Sequence, residues 1–177
     1  MLHTTLVSPH DTTPTYMLTC THTLQRTVID PIHPAMVTDA LGSHTLDLIL
    51  LTAATELTLA AAEILHHRTG APILASNTLN ETALPVARYL TDGEVVGLGP
   101  LAQTIFIPHS EDETGILCYA LGAEGILFTG PLFSNGAAKH KANRNAMAKL
   151  GSLPNDTTTY GGHTSGQPLG PLLENLK

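Results

Sequence analysis

Histidine is the first residue type in this chain to consider for chemistry, because an imidazole can bind a metal ion or transfer a proton near neutral pH. The chain has ten histidines. His66 and His67 are adjacent, so on a helix their side chains would point apart and could not bind one ion together. The others are scattered, with no pair at the i, i+4 spacing that places two ligands on one helix face. The number of histidines alone therefore defines no metal site.

Two other features could carry chemistry but have simpler explanations. Cys20 and Cys118 lie in predicted strands, where a free cysteine usually behaves as a small buried apolar residue. A disulfide or a reactive thiol is the alternative. The glycine-rich segment Gly161–Gly166 lacks the Gly-Lys-Ser/Thr ending of a phosphate-binding loop, so we interpret it as a turn.

The stretch from Leu48 to Ser76 organises the rest of the chain, since it predicts a strand, a loop, a helix and a second strand. Leu48–Leu51 is a short apolar run typical of a buried strand, and Ile73–Ala75 is the second. Between them a helix is predicted over Leu57–Arg68, ended by Gly70 and Pro72. Its apolar residues at helical spacing are Leu57, Ala60, Ala61, Ile64 and Leu65.

Strands and short helices are predicted on both sides of this unit. Before it we expect an edge strand at Leu2–Ser8, a hairpin of Thr15–Cys20 and Gln25–Asp30, and a helix at Pro34–Leu41. After it we expect helical pieces in Asn80–Leu90, strands at Glu94–Leu98 and Gln103–Ile107, a hairpin of Gly115–Leu121 and Gly125–Thr129, a helix at Ala137–Leu150, a last strand at Thr157–Tyr160, and a short tail at Pro168–Lys177.

Length and charge limit the classes of function. A chain of 177 residues predicts one domain over residues 1–177. Its net charge is −7 with only 8 Lys and Arg residues, so no basic surface is available for nucleic acid. The N-terminal region has no basic leader, and no segment has the length of a membrane span. We therefore expect no nucleic-acid partner, no membrane contact and a cytoplasmic location.

Several short motifs follow one another along the chain: Tyr16-Met17-Leu18, Val28-Ile29-Asp30-Pro31, the turn Thr52–Thr58, Asp92-Gly93-Glu94, Leu127-Phe128-Thr129-Gly130, Lys149–Thr157 and Tyr160-Gly161-Gly162-His163. In type and order they resemble motifs of the metallo-β-lactamase superfamily. The branch that the sequence resembles most is the group of glyoxalase II and persulfide dioxygenase. This resemblance implies an α/β fold: a four-layer αββα sandwich, with two mixed sheets packed face to face and helices outside.

The resemblance also locates the positions where that superfamily holds a dinuclear metal site, and most of them are changed here. The two histidines, the aspartate and the following histidine of its first metal motif fall on Ala53, Thr55, Leu57 and Thr58. The third-motif histidine falls near Ser110, beside His109, in a loop over residues 107–115 that is longer than in the family. The bridging aspartate falls on Pro131, and only His163 is retained.

A site at these positions has two interpretations. The predicted pocket residues are Ala53, Thr55, Glu56, Thr58, His109, Ser110, Pro131 and His163. His163 is either a relic histidine in a polar pocket or a general base or lone metal ligand. His163, His109, Glu56 and the acidic residues Glu111–Glu113 could rebuild a cation site, although a solvated acidic loop is the favoured interpretation. Thr55, Ser110 and His163 lack a third group to orient the imidazole for serine-type catalysis.

We therefore predict a degenerate, hydrolase-like protein without the dinuclear site, and expect no cofactor. It would be a non-catalytic binding or oligomer-forming protein, with a homodimer and a small-molecule ligand as its candidate partners. The alternative is a hydrolase or thioesterase of glyoxalase II type, acting on a small acyl or thiol substrate. It would work through His163 as a base or through one Zn, Fe or Mn ion in a rebuilt site.

Overall fold

Two six-stranded mixed β-sheets form the centre of the protein. The structure, a computed structural model, describes residues 2–8, 13–77, 83–98, 102–108, 115–133, 148–162 and 166–174. The first sheet has the order β1-β2-β3-β4-β5-β6, and its strands are Leu2–Ser8, Thr15–Cys20, Arg26–Ile29, Leu48–Leu50, Ile73–Ser76 and Val86–Leu90. β1, β2 and β3 pair antiparallel, whereas β3, β4, β5 and β6 pair parallel.

The second sheet has the order β12-β11-β10-β9-β8-β7. All neighbours in it pair antiparallel except β10 and β11, which are parallel. Its strands are Val95–Leu98 (β7), Ala102–Pro108 (β8), Leu117–Leu121 (β9), Ile126–Phe128 (β10), Thr158–Tyr160 (β11) and Gln167–Pro168 (β12).

The two sheets pack face to face, because alternate residues of each strand point to opposite sides of a sheet. In β9, Leu117, Tyr119 and Leu121 point inward, whereas Cys118 and Ala120 point outward. Inward residues of both sheets share one buried cluster: Tyr16, Leu18, Ile29, Leu50, Leu74, Leu90, Val96, Leu117, Tyr119, Leu121 and Phe128. Tyr16, Phe128 and the half-buried Tyr160 make mutual ring contacts there, with centroids 5.3–5.5 Å apart.

Helices cover both outer faces and complete four layers. Helix α1 (Pro34–Leu41) and helix α2 (Glu56–Thr69) bury Val37, Leu41, Ala62 and Leu65 against the outer face of the first sheet. The helical end at residues 148–150 and helix α3 (Leu169–Glu174) bury apolar residues against the second sheet. The expected αββα sandwich is therefore confirmed.

Local signals fix both ends of α2. At its start, the side chain of Thr55 accepts a hydrogen bond from the backbone of Thr58, and the side chain of Thr58 accepts one from the backbone of Thr55. This reciprocal pair satisfies two backbone donors that have no partner inside the helix. At its end, Gly70 adopts the left-handed conformation and its N–H bonds to the carbonyl of His66.

Most of the predicted elements of the described part are confirmed, but two predictions are wrong. Val86–Leu90 is an edge strand that pairs with β5, not part of a helix. Thr158–Tyr160 is not the last strand, because β12 follows it. Within the predicted short tail, Leu169–Glu174 forms α3. Of the apolar set predicted on α2, only Ala61 and Leu65 are buried. Within the predicted helix Ala137–Leu150, residues 137–147 lie outside the described part.

Candidate functional site

The carboxyl ends of the parallel strands meet on one side of the sandwich. β3 and β4 are parallel neighbours, and the N–H of Asp30, just past β3, donates to the carbonyl of Leu50. β10 and β11 are the corresponding pair of the second sheet, where the N–H of Thr129 donates to the carbonyl of Tyr160. Ligands of open α/β sheets bind at such strand ends. We call Asp30, Thr52, Thr129, Gly130 and Gly161 the strand-end cluster.

A buried carboxyl group holds the turn after β4. Asp30 is 2% exposed and has a positive φ of 49°. Its Oδ1 accepts from the N–H of Thr52 at 2.7 Å, and its Oδ2 accepts from Thr52 Oγ1 at 2.5 Å. Burial raises the pKa of Asp30 to about 7, against the opposing effect of hydrogen bonds from Thr52 and the Ala53 backbone.

Two further hydrogen bonds join this turn to the second sheet. The N–H of Leu117 donates to the carbonyl of Thr52 at 2.6 Å. The phenolic O–H of Tyr119 donates to the carbonyl of Leu51 at 2.8 Å. Burial, with the nearby charge of Asp30, raises the pKa of Tyr119 and keeps it a neutral donor. Strands of both sheets therefore fix the backbone at the start of the turn.

Glycines allow the strand ends to approach closely. Gly130 has a φ of +53°, and a Cβ atom on it would lie 2.0 Å from Thr52 Oγ1. A Cβ atom on Gly161 would lie 2.5 Å from both the Gly130 carbonyl oxygen and Thr129 Oγ1. Thr129 Oγ1 is itself buried and has no hydrogen-bond partner among the described residues. The strand-end cluster therefore has no space for a larger residue at either glycine.

The turn between β4 and α2 uses its own hydroxyl groups for structure. Thr58 is fully buried, and its Oγ1 shares its one hydrogen between two acceptors, the carbonyls of Ala53 at 3.0 Å and Thr55 at 3.1 Å. Thr55 Oγ1 accepts from the N–H of Thr58 at 3.1 Å. Ala53 packs in the apolar cluster on the outer face of the second sheet. At three of the positions where the resemblance places metal ligands, the chain therefore has the methyl group of Ala53 and the hydroxyls of Thr55 and Thr58. Both hydroxyls already have hydrogen-bond partners.

The structure brings part of the predicted pocket together. Ala53, Thr55 and Thr58 lie in one turn, and Pro131 follows Gly130 of the strand-end cluster and is half-buried. Glu56 is exposed at the first position of α2. In a binding or structural protein we expected Leu57 and Pro131 to fill this pocket, but Leu57 is 52% exposed and does not fill it. His109, Ser110 and His163 lie outside the described residues, as do Glu111–Glu113 of the long loop.

The donors that the structure describes here do not fit a dinuclear metal site. Such a site needs several imidazole or carboxylate ligands converging from different strand ends. Across the described ranges, no group of three or more His, Cys, Asp or Glu side chains is placed to hold a metal ion. Ala53, Leu57 and Pro131 have no ligating side-chain atom, and the Thr55 and Thr58 hydroxyls serve the helix cap.

The motif Val28-Ile29-Asp30-Pro31 could be recognised in the sequence, but the role of Asp30 could not. Its partner Thr52 is 22 positions away, and only the pairing of β3 with β4 brings the two together. The signal in the sequence was an aspartate directly after an apolar strand. A carboxylate in such a buried place is rare unless hydrogen bonds or an opposite charge compensate for the loss of water.

Comparison with known proteins identifies the fold. No family model matches the sequence, and no curated protein matches it. Solved structures do match. The B3 metallo-β-lactamase BLEG-1 is 17% identical, with 98% of this chain and 97% of that chain covered and a TM-score of 0.73. ETHE1 from Myxococcus xanthus is 20% identical, with 92% and 75% covered and a TM-score of 0.67.

A third structure gives the same result. BJP-1, a subclass B3 metallo-β-lactamase of Bradyrhizobium japonicum, is 18% identical, with 97% of this chain and 92% of that chain covered and a TM-score of 0.66. Among the helices of the described part, none is long and apolar enough to cross a membrane. With TM-scores of 0.66–0.73, identities of this size show a shared fold and no more. The chain therefore has the metallo-β-lactamase fold.

Proposed function

We propose that this chain is a non-catalytic binding or oligomer-forming protein that retains the metallo-β-lactamase fold without its dinuclear metal site. The observation that carries the proposal is the turn from Thr52 to Thr58. Its backbone is held by Asp30, and the hydroxyls of Thr55 and Thr58 cap α2. This turn, where the resemblance places metal ligands, stabilises the backbone and the start of α2 in this chain.

The side chains at the family's ligand positions support this proposal. Ala53 and Pro131 offer no donor atom, and a neutral threonine hydroxyl is a poor ligand for Zn or Fe. Leu57, where the resemblance places an aspartate, has no ligating side-chain atom. His163 alone would not hold a divalent cation tightly, because affinity depends on the number of converging ligands. A small molecule bound at the strand ends is compatible with this function.

The two cysteines support a reducing compartment, and we include a cytoplasmic location in the proposal. Cys20 and Cys118 are both buried free thiols, and burial raises the pKa of Cys118 to about 12, which keeps it protonated and unreactive. Oxidising compartments favour disulfides in proteins that depend on them for stability.

Metal content tests the proposal. Native protein, purified without a nickel column because of its ten histidines, is analysed by mass spectrometry for Zn, Fe and Mn. We expect far less than one ion per chain. His163→Ala is compared with His44→Ala, a control that removes an exposed histidine after α1. Both variants should retain the same low metal content as the native protein.

Near-stoichiometric metal that is lost in His163→Ala, but not in His44→Ala, would contradict the proposal. It would favour the alternative: a hydrolase or thioesterase acting on a small acyl or thiol substrate through a site rebuilt from His163, His109 and Glu56. Glu56→Gln and His109→Ala would then identify the remaining ligands, and thioester hydrolysis would be assayed with the metal-loaded protein.

A further inference from the structure

We draw no further inference here: the strongest candidate, the surface patch at edge strand β1 of the first sheet, where Leu6 is 51% exposed, carries nothing, because nothing in the described part of the structure shows what covers it.

Discussion

Gly130 occupies a backbone position at which a side chain would both strain the chain and collide with Thr52. Its φ of +53° lies in the left-handed region, which a residue with a Cβ atom adopts only at a cost in energy. The added Cβ atom would lie 2.0 Å from Thr52 Oγ1, the hydroxyl that donates to Asp30. A side chain at position 130 would therefore both strain the backbone there and disturb the hydrogen bond from Thr52 to Asp30.

We predict that Gly130→Ala lowers the free energy of unfolding by about 3 kcal/mol, from left-handed strain and from displacement of Thr52. Urea denaturation followed by circular dichroism measures the change. The matched control is Gly122→Ala, since Gly122 has no positive φ and its added Cβ atom would meet no atom within 4 Å. Equal effects of the two substitutions would show that the strand ends are less tightly packed than the structure indicates.

At the scale of single residues, only part of the candidate site could be predicted from the sequence. The turn Thr52–Thr58 and the aspartate after β3 could be recognised from local patterns. The hydrogen bonds from Thr52 to Asp30 could not, because they join residues 22 positions apart through the pairing of two strands. The close approach of Gly130 to Thr52 was also not predictable, since it joins strand ends of different sheets.

At the scale of single elements, helix α2 depends on an N-terminal cap made by two threonines, Thr55 and Thr58. Thr55→Ala removes the side-chain oxygen that accepts the N–H of Thr58, and it also removes a partner of the Thr58 hydroxyl. We predict a loss of about 1 kcal/mol in the free energy of unfolding, the usual effect of losing an N-cap. Thermal and urea denaturation measure it. Thr55→Ser keeps the oxygen and should be nearly neutral, so an equally large loss in that variant would contradict the capping role.

Element boundaries followed from the sequence where local signals fixed them. The start of α2, its end at Gly70 and the hairpin of β2 and β3 all match within a few residues. Val86–Leu90 was assigned wrongly because its partner, β5, lies earlier in the chain and supplies the hydrogen bonds that make it a strand. Helical spacing located the apolar residues of α2 but could not decide whether Leu57 and Ile64 face the sheet or the solvent.

At the scale of the whole molecule, the buried carboxyl group of Asp30 couples folding to protonation. The side chain lies between the sheets' strand ends, held by Thr52 of the first sheet's turn, while Tyr119 of the second sheet lies close enough for its pKa to respond to the Asp30 charge. An unfolded chain returns this carboxyl group to water and to an ordinary pKa near 3.8. The difference between the folded and unfolded pKa values makes global stability depend on pH.

Because the pKa of Asp30 is raised to about 7 in the folded state, the folded chain holds a proton between pH 4 and 7 that the unfolded chain releases. The stabilisation is therefore full below pH 4 and is lost as the pH rises through 7.

We predict that Asp30 makes the free energy of unfolding fall by about 3 kcal/mol from pH 5 to pH 8. Asp30→Asn should flatten this dependence, even though its amide also weakens the hydrogen bonds to Thr52. Asp39→Asn, on the exposed side of α1, is the control and should retain the native slope. Urea denaturation at several pH values between 5 and 8 measures the free energy of unfolding and its slope with pH. An unchanged slope in Asp30→Asn would mean that the carboxylate of the native protein stays ionised in the folded state.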